Sequence, residues 1–149
     1  MESDLHPLIY PWRFQMKIRL PFLVSVLVLL AVSCGPAQPQ ARVFFVEPAD
    51  GATVQSPVHV VMGVEGMQVK PAGEIVEGTG HHHLLIDRGG YAEGEAIPND
   101  EQNRHFGGGQ TETELELEPG QHTLTLQFAN GAHQSYGERL AASITITVE

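Results

Sequence analysis

Between Thr111 and Glu118 the chain reads Thr-Glu-Thr-Glu-Leu-Glu-Leu-Glu, an unbroken two-residue alternation that only an extended strand sorts into a wet face and a dry one. Thr113, Leu115 and Leu117 take the inward phase, and Glu112, Glu114, Glu116 and Glu118 the outward one. Four carboxylates projecting from one straight strand cannot converge on a calcium ion. The row therefore predicts a solvated face that resists edge pairing. Pro119-Gly120 turns the chain into a second run, 121–128, in which Leu124, Leu126 and Phe128 share one face.

Runs rich in Val, Ile, Thr and Phe recur through the rest of the chain, and helical periodicity is almost absent. Strands are expected at 42–47, closed by Pro48-Ala-Asp-Gly51, and at 58–64, where Val58, Val60, Met62 and Val64 align. Further strands are expected at 81–87 and 142–148. In the former, Leu84 and Ile86 point inward and Leu85 breaks the phase; in the latter, Ile144, Ile146 and Val148 do the burying. Residues 66–80 read as a long loop. Residues 89–110 read as mostly loop, with a helical turn begun by Asn99 or Asp100 after Pro98. Six strands in one domain over 42–149 predict an all-β fold, a single immunoglobulin-like antiparallel β-sandwich, with a small barrel as the alternative.

Ahead of the strands, the apolar run at residues 20–32 follows Lys17 and Arg19 and ends in Ala31-Val32-Ser33-Cys34-Gly35. It is short for a bilayer span and has the order of a secretory signal. The box before Cys34 resembles the cleavage site of bacterial lipoproteins, in which the cysteine is acylated and becomes the N-terminus. Cys34 is the single cysteine, so no internal disulfide competes for it. Glu2 and Asp4 sit poorly in a basic n-region, so translation is expected to start at Met16, with 1–15 outside the protein proper. The segments are then 16–34 as signal, 35–41 as a proline-bearing tether, and 42–149 as the domain. This places the chain in the bacterial cell envelope, exported and held to the membrane by its lipid. Gly35 carries no acidic retention cue, which by resemblance to known lipoproteins favours the outer membrane, facing the periplasm. After Cys34 five Lys or Arg stand against sixteen Asp or Glu, a balance of −11 that argues against nucleic acid as partner.

Three motifs, Gly80-His-His-His-Leu-Leu-Ile-Asp87, Phe106-Gly-Gly-Gly-Gln-Thr-Glu112 and Gly120-Gln-His-Thr-Leu124, resemble the bacterial family called domain of unknown function 4399. The resemblance runs from about Val43 to Val148. It implies exported, often lipid-anchored β proteins and names no activity.

Histidines carry the remaining chemistry: His59, His81, His82, His83, His105, His122 and His133. Neutral imidazole is a common ligand for copper and zinc. His81 and His83, two apart on a strand, project from one face, about 7 Å apart along the chain. His82 points the other way, as a core-edge histidine bonded to backbone. In a sandwich, strand reversal returns the loops bearing His105 and His133 to the end where His81 lies, and sends His59 and His122 to the other. The candidate metal ligands are therefore His81, His83, His105 and His133, with copper or zinc as the ion. Gly107, Gly108 and Gly109 are expected to allow a close backbone approach beneath them. The competing reading is a structural or interaction module, meeting an envelope protein or small ligand, whose histidines only brace loops. Phe106-Gly-Gly-Gly lacks the Lys and helix of a phosphate loop, and no Ser-His-acid set marks a hydrolase. Without a thiolate, a blue-copper site is disfavoured. An enzyme is thus the less favoured class.

Overall fold

The computed structural model describes residues 40–149. The signal segment, Cys34 and residues 35–39 of the tether lie outside them. Nine strands follow in order: β1 (Arg42–Glu47), β2 (Thr53–Val54), β3 (Val58–Glu65), β4 (Gln68–Val69), β5 (Thr79–Ile86), β6 (Asn103–His105), β7 (Glu112–Leu115), β8 (Gly120–Ala129) and β9 (Ala141–Val148). A single 3₁₀ turn, Glu138–Leu140, leads into β9. Among the described residues no helix is long and apolar enough to cross a membrane.

The all-β expectation holds, and the finer topology differs from it. One sheet has the order β1-β3-β7. The other runs β2-β9-β8-β5-β4, with β6 also pairing with β5, and curls into a half-barrel. Two of the pairings, β2 with β9 and β4 with β5, are parallel, so the assembly is not the purely antiparallel sandwich that was expected. Both involve two-residue strands, too short for alternation to show in sequence. β4 splits the expected 66–80 loop, and β5 begins at Thr79 because that pairing starts there.

Between the sheets the alternating residues meet as expected. Val43, Val58, Val60, Met62 and Leu115 face Leu84, Ile86, Leu124, Leu126, Phe128, Ile146 and Val148, with Phe106 and Leu140 completing one cluster. The glutamates of β7 lie exposed on the edge strand of the small sheet. β7 stops at Leu115, short of the expected Glu118. Beyond it, Leu117 N–H donates 3.1 Å to Ser56 Oγ, so a side chain takes over from the ladder.

The phase exception, Leu85, is explained by a second, smaller core. On the outer face of β5 and β8, Leu85 packs with Ile97, Ala129 and Tyr91. The chain between Arg88 and Ile97 therefore covers a face that an ordinary half-buried strand would leave wet. Gln127, fully buried on that face, accepts a hydrogen bond from Tyr91 N–H at 2.7 Å, and its amide donates to Ser135 Oγ at 2.7 Å and Tyr91 C=O at 3.1 Å. The helical turn expected at Asn99 or Asp100 is absent. Asp100 Oδ1 instead accepts from the N–H groups of Gln102 (2.9 Å) and Asn103 (3.0 Å) and from Asn103 Nδ2 (2.7 Å). Asp serves a helix start and a side-chain turn by the same acceptor, and here the turn feeds β6.

Candidate metal centre

β5 sorts its three consecutive histidines by pleat. His81 and His83 project with Leu85 onto the covered outer face; His82 projects with Leu84 into the main core, and all three are fully buried. β6 adds the third ligand candidate, because the antiparallel register sets His105 directly opposite His83. The fourth comes from the turn that follows β8, whose residue Ala129 lies opposite His81. In that turn Asn130 Oδ1 accepts from Ala132 N–H (2.9 Å) and Gln134 N–H (3.1 Å), and His133 N–H donates to Asn130 C=O (2.9 Å). His133 is held at φ 62, in the left-handed region where non-glycine backbone is uncommon. Its carbonyl accepts from Ile97 N–H at 2.9 Å, which locks the turn to the covering segment.

One ring nitrogen from each of His81, His83, His105 and His133 lies within 4.8 Å of the other three. His81 Nε2 is 3.0 Å from His83 Nε2 and 3.2 Å from His133 Nδ1. A neutral imidazole nitrogen either donates one proton or accepts into one lone pair. His81 Nε2 therefore cannot satisfy both neighbours by hydrogen bonding. Ring nitrogens crowded this closely are a pattern that a cation relieves. An ion about 2.05 Å from each of four tetrahedral nitrogens sets them about 3.3 Å apart, close to these separations. His105 Nε2 is buried without a protein partner, as are His81 Nδ1 and His83 Nδ1.

Burial favours the neutral form of three of the four rings. It lowers His81 from 6.5 to about 4 and His83 to about 3, with the neighbouring histidines as the next cause, and it lowers His105 as well. Neutral imidazole is the form in which histidine ligates a metal, so the cluster could hold one.

His59 and His122 lie apart from the cluster. His59 is half-exposed on β3, 3.3 Å from Glu47. His122 pairs 2.8 Å from Asp87 Oδ2, seven residues before Ala129 along β8, about 24 Å at the rise of a strand. Its other nitrogen lies 2.9 Å from Glu118 C=O. That backbone acceptor and Asp87 raise its pKa.

His82 departs from the expectation of a backbone-bonded ring. It lies edge-on to Phe128, ring centroids 5.0 Å apart, and neither of its nitrogens has a protein partner. Burial lowers its pKa to about 4. The three glycines also divide. A Cβ on Gly107 would run into the His105 ring, so this residue alone makes the close approach beneath the cluster. Gly109 is required instead by its φ of 82 in the turn closed by its N–H on Phe106 C=O, and Gly108 faces only the Gln110 side chain.

Two supports were not visible in the residue pattern. The segment just after β4 crosses both ligand-bearing loops: Ala72 N–H donates to Gly107 C=O and Gly73 N–H to Gly131 C=O, each at 2.8 Å. No side chain takes part, so only topology reveals it. Gln127, opposite His83 in the β5–β8 register, is the other. A polar residue between Leu126 and Phe128 was the available signal.

No curated protein and no solved structure matches this chain. The family model described as Domain of unknown function (DUF4399) matches residues 60–149, beginning in β3 rather than at Val43, and leaves β1 and β2 outside it. All four clustered histidines fall within the match, and the chain belongs to this family, DUF4399.

Proposed function

We propose that the four-histidine cluster binds one metal ion, copper or zinc, and that the chain is an envelope-anchored metal-binding protein. One observation carries the reading: four imidazoles from β5, β6 and the turn after β8 converge, with one nitrogen of each within 4.8 Å of the rest. Four protein donors fill a tetrahedral shell and leave no position for a reactive water, so holding or carrying the ion fits better than hydrolytic catalysis. Isothermal titration of the full-length chain in detergent is expected to show one equivalent of copper or zinc per chain. His105→Ala and His133→Ala should each weaken it by at least about tenfold, since each removes a donor. Absence of any heat or bound metal at saturating concentration would sink the proposal.

The bracing reading has its own support in the His81–His83 and His81–His133 contacts at 3.0 and 3.2 Å, which tie β5 to the turn. It expects those same alanine variants to loosen the turn with no metal to lose. Anchoring rests on the signal-like run before Cys34. A palmitate analogue fed to cells should label the chain and fail to label Cys34→Ala; equal labelling of both would remove the lipid anchor.

A further inference from the structure

The shape and charge of the cluster select among metals. The six distances between the ring centroids are 4.9 Å (His81–His83), 5.0 Å (His81–His105), 5.1 Å (His81–His133), 5.0 Å (His83–His105), 6.0 Å (His83–His133) and 4.6 Å (His105–His133). Four imidazoles around one ion give centroids about 5.2 Å apart in a tetrahedron, and about 4.5 Å at the sides and 6.4 Å across the diagonals of a square plane. A square needs two long distances that share no residue. Here the 6.0 Å distance faces one of 5.0 Å, and every other opposed pair is shorter than 5.2 Å. The arrangement is a slightly opened tetrahedron. Zn(II) and Cu(I), both d¹⁰, accept that geometry freely, whereas Cu(II) and Ni(II) favour tetragonal shells.

Charge then separates the two d¹⁰ ions. The donor set holds four imidazoles, a ligand type that brings no negative charge, and no carboxylate or thiolate. A buried dication would thus keep its whole charge. The penalty for removing an ion from water grows with the square of its charge, so a monocation bears about a quarter of it. His81 and His83 are fully buried, where that difference counts most.

Resting on the proposed metal site, we infer that its resident ion is monovalent copper, held as Cu(I) in a closed shell of four neutral imidazoles. Binding transfers no electron.

Anaerobic competition between the full-length chain in detergent and the Cu(I) chelator bicinchoninate, beside parallel titrations with Zn(II) and Cu(II), tests this. One Cu(I) per chain is expected, bound at least about 100-fold more tightly than either dication. X-ray absorption at the copper edge should report imidazole nitrogen alone, without sulfur. His133→Ala, in a partly exposed turn, should lower Cu(I) affinity at least about tenfold with the β-sheet circular dichroism unchanged, and His59→Ala should leave affinity as it is. If His133→Ala fails to fold, His105→Ala carries the same expectation. Zn(II) bound as tightly as Cu(I) overturns the inference and leaves the metal site standing. Failure of all three ions overturns both, and Cu(I) binding that survives His105→Ala and His133→Ala places copper elsewhere and overturns the inference.

Discussion

Acidifying the metal-free protein from pH 7 is expected to unfold it with a midpoint near pH 5. Burial holds His81 and His82 at about 4 and His83 at about 3 in the folded chain, against about 6.5 once unfolded. Above pH 6.5 both states carry neutral rings and the contribution to stability is complete. Below it the unfolded chain takes up protons that the folded chain refuses, so stability falls with pH until the folded values are reached. Each refusing histidine costs about 1.4 kcal/mol per pH unit, and three cost about 4, against a total stability on the order of 5–15 kcal/mol for a small domain. Tryptophan-independent probes suit the measurement, since the one tryptophan, Trp12, lies outside the described residues. Far-ultraviolet circular dichroism against pH reads the transition. A midpoint at or below pH 3 would show that the rings titrate in place without opening the fold.

His82 gives that experiment its internal control. Its ring nitrogens meet no protein partner, it packs against Phe128, and it is no part of the four-nitrogen set. Replacing it with leucine removes one refused proton and one unpaired polar group at similar volume. His82→Leu should therefore flatten the acid slope by about a third while leaving metal uptake intact. Both consequences follow from the pleat, which sends neighbouring histidines of one strand to opposite faces.

How far the residue pattern reaches is visible in that same strand. Alternation alone separated His81 and His83 from His82, and Leu115 and Leu124 from their glutamate and threonine neighbours, because a two-residue period is local. It assigned the inner core face for the same reason. Leu85 was legible only as an exception: its explanation, the packing of Tyr91 and Ile97 over the outer face, depends on a segment with no period of its own. The convergence of His105 and His133 on His81 was inferred from strand direction, yet the mechanism differs. His105 sits in a strand paired with β5, and its three-residue length hid that strand within an apparent loop. The parallel pairs and the backbone strap from Ala72 and Gly73 involve no diagnostic side chain, so composition and spacing carry no trace of them. Gly107 was legible as a glycine and not as the floor of one imidazole, which only three-dimensional contact discloses.

Saturating metal is expected to carry the fold through the acid range in which the empty protein unfolds. A ligand that binds only the folded state at about 1,000 times its Kd adds about 4 kcal/mol. In a domain of this size that raises Tm by on the order of 15 °C. An ordinary histidine site would lose this gain below pH 6.5, where protons compete for its nitrogens. Here burial holds His81 at about 4 and His83 at about 3 in the folded chain and lowers His105 as well, so protons compete less with the ion for these nitrogens. The added 4 kcal/mol, set against a slope of about 4 kcal/mol per pH unit, moves the acid midpoint down by about one unit. Parallel acid titrations with and without Cu(I) or Zn(II) measure the displacement, and His133→Ala should shrink it by at least about a third while keeping the steep slope of the empty protein. An identical midpoint with and without metal would mean that the nitrogens converge on each other and on nothing else.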